Sequence, residues 1–115
     1  MPQIVAGMAK LMLQLEDLGL QFTTDDVAVG AYIILDKAVD NCPVDTGYLR
    51  STAFSEITDD DVFIGFNAPY ASYLEFGTYK MEAQPYLRPA LDEAQDAALK
   101  AIVNSIEIHL KDIAR

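Results

Sequence analysis

Cysteine and histidine are each present once in this chain of 115 residues, as Cys42 and His109. A lone thiol excludes an intrachain disulfide and any metal site built on cysteine pairs, and it suits a reducing compartment. No run approaches the roughly 18 consecutive apolar residues that a membrane-spanning helix needs. The opening MPQIVAGMAK has no basic patch leading into an apolar stretch, so no secretion signal is expected. Basic residues are scarce as well: eight Lys and Arg against eighteen Asp and Glu leave a net charge of -10. A field of that sign repels phosphate backbones, which argues against sequence-reading contacts with DNA or RNA. It suits a passage through which DNA slides without sticking.

The inventory for catalysis is equally thin. His109 lies towards the end of the last helical stretch, where an imidazolium interacts favourably with the helix dipole, and no Ser or Cys nucleophile sits on a matching motif. Cys42 precedes Pro43 with Asp40 and Asp45 close by, and negative neighbours blunt a thiol, so it reads as structural. Phosphate-binding glycine loops and metal-ligand spacings are missing, so neither cofactor nor metal is expected. Asp45 and Glu75 could form an acid and base pair, as in a small acidic glycoside hydrolase. Asp45 is already explained by a turn, however, and Glu75, between Leu74 and Phe76, suits holding backbone amides or an arginine such as Arg50 or Arg88. The expectation is a protein without turnover.

What is present is 51% hydrophobic residues, enough for one domain over residues 1–115. Ile4, Val5, Met8, Leu11, Met12, Leu15 and Leu18 recur at spacings of three and four, predicting a first helix over residues 4–18 closed by Gly19. Thr23 or Thr24 caps a second helix, with Asp25 and Asp26 in its first turn and Ala28, Ala31, Tyr32, Leu35, Ala38 and Val39 on its buried face. Gly30 inside it points to close packing on another backbone, and Pro43 ends it near Asn41. Asp45 to Gly47 reads as a tight turn. Two strands follow, Ser51 to Thr58 and Val62 to Asn67, joined by a solvated turn at Asp59, Asp60 and Asp61 rather than a calcium loop. Leu91, Ala94, Ala98, Leu99, Ile102, Val103, Ile106, Leu110 and Ile113 predict one long helix over residues 88–112, near 37 Å at about 1.5 Å per residue. The fold expected is α+β: a small antiparallel sheet packed with N-terminal helices and one long C-terminal helix.

Between Asn67 and Leu91 the chain concentrates rigid and aromatic residues, with Pro69, Pro85 and Pro89 beside Tyr70, Tyr73, Tyr79 and Tyr86. That density argues for a loop of fixed shape, which loses little entropy when a neighbour packs on it. The tyrosines, apolar rings with a polar tip, are candidate interface anchors or ordinary core and rim residues.

The blocks PVDTGYLRS, APYASYLEFGT and KMEAQPYLRPAL resemble, in order and spacing, the tailed-phage head-tail joining proteins, also called neck or tail-component proteins. The positions that carry the resemblance are Pro43, Asp45, Thr46, Gly47, Leu49 and Arg50; Tyr70, Ala71, Glu75, Phe76, Gly77 and Thr78; and Met81, Gln84, Pro85, Leu87, Pro89 and Ala90. The resemblance implies a virion subunit, assembled in the bacterial cytoplasm. It would form a ring of six or twelve copies between a head-side connector and the tail tube or its terminator, with DNA passing through. A tail terminator or completion protein is the alternative it leaves open. The contact surface expected on these grounds comprises Asp45, Arg50, Tyr70, Tyr73, Glu75, Phe76, Thr78, Tyr79, Met81, Tyr86 and Arg88.

Overall fold

A computed structural model describes residues 4–42 and 47–114, with side chains as far as residue 110. The expected turn at Asp45 lies outside the described residues. The architecture is α+β, in the order β1 (Ile4–Gly7), α1 (Ala9–Asp17), α2 (Thr24–Asn41), α3 (Tyr48–Ser51), β2 (Ala53–Ile57), β3 (Val62–Phe66), α4 (Ala71–Phe76), α5 (Leu87–Glu93) and α6 (Gln95–Ala114). The three strands form an antiparallel sheet with β3 in the centre.

The N-terminal stripe is where periodicity misleads. Ile4 to Gly7 is a strand paired with Phe66 to Phe63, and the helix begins only at Ala9. β3 buries Val62, Ile64 and Phe66 completely, and a central strand needs a hydrogen-bonded neighbour on each side. The β-branched pair Ile4 and Val5 supplies that second neighbour. The switch into α1 is held by Asp61, whose Oδ1 accepts from the backbone N–H of Met8 at 3.2 Å and of Val62 at 2.7 Å. Asp61 is thus a joint, while Asp59 and Asp60 are the solvated part of the turn.

α2 starts as expected. Thr23 and Asp26 form a reciprocal capping box, and the helix runs to Asn41. It lies antiparallel to α6, with Asp26 opposite Ser105 and Gly30 against Ile102 and Ala98. A Cβ on Gly30 would stand 2.5 Å from Ile102 Cδ1 and 2.9 Å from the Ala98 carbonyl oxygen, so glycine here sets the distance between the two longest helices. Tyr32, expected on the buried face, is exposed; Ile34 is buried instead.

The single C-terminal helix expected from the pattern is two. At Ala94 the backbone opens to φ -99, ψ 1, separating α5 from a 20-residue α6. Part of the apolar face thereby turns onto α2, which packs on both. The molecule measures 57 × 24 × 23 Å.

Candidate contact site

Glu75 organises the stretch after β3. It projects inwards from the last turn of α4 and has no exposed surface. Its Oε1 accepts from the backbone N–H of Tyr86 at 3.0 Å and of Leu87 at 2.7 Å; Oε2 accepts from the N–H of Arg88 at 3.0 Å and from its Nε at 3.1 Å. One carboxylate therefore satisfies the three orphan amides at the start of α5 and places a negative charge there. Arg88 Nη2 also donates to the Glu75 carbonyl at 3.2 Å. Burial pushes the Glu75 carboxyl up, but the amides of Leu87, Tyr86 and Arg88 and the Arg88 side chain together hold it below the ordinary carboxylate range. Among the alternatives read from the sequence, backbone amides and Arg88 are the partners, not Arg50.

Tyr86 is a correction. Expected among the interface candidates, as the equally buried Glu75 was, it has no accessible surface; its hydroxyl donates to the Ala71 carbonyl at 2.7 Å and its ring meets Phe66 edge-on at 5.0 Å. It locks α4 to the sheet. Burial, then the charges of Glu75 and other neighbours, raise the Tyr86 phenol far above its usual value, keeping it a donor.

Between these joints the chain makes a small projection. The Gly77 N–H donates to the Tyr73 carbonyl, Thr78 and Met81 exchange backbone hydrogen bonds of 2.9 and 3.2 Å, and the Gln84 N–H returns to the Leu74 carbonyl at 2.7 Å. Gly77 takes φ 77 with ψ 175, so its positive φ is as expected, but with an extended ψ open essentially to glycine alone. The loop of fixed shape expected here is a short helix, α4, followed by a two-residue turn. Tyr79 at its tip is 93% exposed, and Tyr73 and Phe76 stand out from α4 at 50% and 58%. Arg88 Cζ lies 4.7 Å from the Phe76 ring centre and Lys80 Nζ lies 5.4 Å from that of Tyr79. The result is an aromatic ridge flanked by cations.

Of the remaining expected residues, Asp45 lies outside the described residues. Thr78 is exposed and Met81 half-buried. Tyr70 sits beside Tyr48, ring centres 6.3 Å apart. Tyr48 was missed because its signal, an aromatic following a turn glycine, is weak. Arg50 has a buried Nε without a hydrogen-bond partner among the described residues. Burial pushes the Cys42 thiol up to about 11, against the pull of the Arg50 charge, which makes it the inert thiol expected.

A second cluster escaped the sequence reading. Asp26 Oδ1 accepts from Ser105 Oγ at 3.0 Å and from His109 Nδ1 at 2.9 Å, while Oδ2 takes the Thr23 N–H. Burial raises the Asp26 carboxyl, but the Thr23 amide, Ser105, His109 and the Thr23 hydroxyl outweigh it and bring it below the usual range. Serine and imidazole both point at the carboxylate, whereas a nucleophilic relay needs the imidazole between them. The cluster ties the end of α6 to the start of α2.

The core thus fastens an aromatic projection by two internal joints, Glu75 and Tyr86, which hold its shape without help from another chain. Residues 8–77 match the family described as "Bacteriophage HK97-gp10, putative tail-component". That is more than half of the chain, and the protein belongs to this phage tail-component family. The match takes in α1, which the resemblance had left outside its blocks, and stops before the block at Met81 to Ala90. Neither the curated proteins nor the solved structures gave a match. Among the described residues no helix is long and apolar enough to cross a membrane.

Proposed function

We propose that this chain is a ring-forming subunit of the phage neck, seated between the head-side connector and the tail, and that it acts by contact alone. The observation that carries this reading is the ridge of Tyr73, Phe76 and Tyr79, exposed on a segment whose shape the chain has already fixed through Glu75 and Tyr86. Aromatic side chains with few rotatable bonds are the residues enriched at the buried centres of interfaces. The only acid and base pair weighed from the sequence lends no support to turnover, because the Glu75 carboxylate is engaged by three amides and a guanidinium. A net charge of -10 keeps the subunit from adhering to DNA that moves through the ring.

Imaging of intact particles tests this directly. The expected result is a closed ring of six or twelve copies at the head-tail junction; density for the subunit at the far end of the tube, or none in the particle, overturns it.

A further inference from the structure

Asp26 is almost wholly buried, yet both of its carboxylate oxygens are in use, and the donors they serve belong to two different helix ends. Oδ2 accepts from the Thr23 N–H at 3.0 Å and the Thr23 hydroxyl at 3.3 Å, while that hydroxyl accepts the Asp26 N–H and so closes the first turn of α2. Oδ1 accepts from Ser105 Oγ and His109 Nδ1 on the far side of the chain, Ser105 being 79 residues away. Little else fastens these two ends. Thr23 and Asp25 are exposed, and the apolar core of α2 begins only at Val27; on α6 the last buried residue described is Ile106, and Glu107, Ile108, His109 and Leu110 all face solvent. An open recess of about 390 Å³ separates the two, lined by Phe22, Ile106 and Leu110, and Asp26 and His109 are the ionisable side chains in that lining among the described residues.

We propose that the start of α2 and the end of α6 open and close as one unit, a clasp whose single pin is the Asp26 carboxylate, while the core stays shut. The coupling follows from burial. When the end of α6 lifts, Oδ1 loses both donors, and a buried carboxylate left half satisfied is less stable than one that the first turn of α2 swings out into water. When that first turn loosens instead, Oδ2 loses its donors and the carboxylate no longer holds Ser105 and His109 in place. Each end is therefore firm only while the other is closed. Opening widens the recess and uncovers Phe22 and Ile106. Local units of this kind arise where buried apolar contacts are few and backbone hydrogen bonds face solvent, which is the situation at both ends here. The clasp operates in the isolated chain and stands apart from the neck reading.

Amide hydrogen exchange on the full chain tests this, with one variant on each side of the pin. The probes are Val27, whose N–H donates to the Thr23 carbonyl, Leu110 at the end of α6, and Ile64 in the central strand as the core reference. His109→Ala removes one donor to the carboxylate and is expected to speed exchange about tenfold at Leu110 and by the same factor at Val27, with Ile64 unchanged. Thr23→Ala, cutting from the other side, is expected to do the same at Leu110, a residue on the other helix. His109 and Thr23 are both exposed, so neither substitution opens a cavity in the core. Acceleration confined to the helix that carries the substitution describes two ends that fray separately, and overturns the clasp. Acceleration that reaches Ile64 also overturns it, because the pin would then belong to the core, and so does unchanged exchange at Val27 and Leu110 in both variants. As a second measurement, Ser105→Ala is expected to reproduce the pattern of His109→Ala; an effect at Leu110 alone counts against the shared pin.

Discussion

Glu75 shows how one residue can be legible in kind and hidden in detail. A carboxylate between Leu74 and Phe76 in an aromatic stretch signals a buried acid with a structural partner, and the sequence narrows that partner to amides or an arginine. Which amides it meets depends on the chain returning after ten residues, and nothing local encodes that return. Tyr86 fails for the same reason, since a tyrosine among exposed tyrosines carries no mark of being the buried one. Replacing Glu75 by Gln keeps the shape but removes the charge that four donors share. A loss of roughly 3 kcal/mol is expected, seen as a fall in Tm of about 10 °C. Acid should act on the same group. Glu75 and Asp26 both titrate below their ordinary ranges in the folded chain, so their stabilisation is complete above the unfolded values of about 4 and disappears as pH falls through the lower, folded values. Thermal melts between pH 7 and pH 2 should therefore be flat at first and drop below about pH 4, and the drop should be shallower in the Gln variant. An equally steep acid limb there would exclude Glu75 as its source.

At the scale of elements, patterns that a segment satisfies by itself were readable, and patterns completed by a distant segment were not. The capping box at Thr23 and the stop before Pro43 are local, and α2 lies where they put it. The three-four stripe from Ile4 is also local, yet β3 claims its first four residues, because an unpaired edge on a largely buried strand costs more than a helical turn gains. Ala94 carries no breaker signal; the bend there comes from packing α5 and α6 on one partner. Gly30 was informative, as a glycine that helix propensity disfavours must answer to something outside its helix. Gly30→Ala should consequently destabilise by about 1–3 kcal/mol in chemical denaturation despite the propensity gain of about 1 kcal/mol, since the Ala98 carbonyl cannot move aside. A neutral or more stable variant would show that α2 and α6 do not touch there. Gly77→Ala should cost about 2 kcal/mol through its backbone conformation. Its effect is expected to be local, with faster hydrogen exchange at Gln84 than at Ile64; uniform loss of protection would assign Gly77 to the core instead.

The whole molecule is longer than its size requires. Its Cα radius of gyration is 15.6 Å, where a compact chain of this length would have about 13 Å. Its 7041 Å² of accessible surface likewise exceeds the roughly 6200 Å² of a typical monomer of this mass. Small-angle scattering on a dilute sample should return the elongated value for a monomer; a compact profile would remove the separation between the two ends. Nothing in composition foretold this, because elongation follows from the stagger of α2 and α6, a relation between elements. A last consequence follows from the way Glu75 holds α5. It grips main-chain amides, which every residue except proline possesses, and so the identity of the side chains on the intervening turn is irrelevant to the grip. Changing the side chains from Thr78 to Ala83 should therefore leave the hold on α5 intact, so that the outer face of the turn is chemically free of the scaffold beneath it.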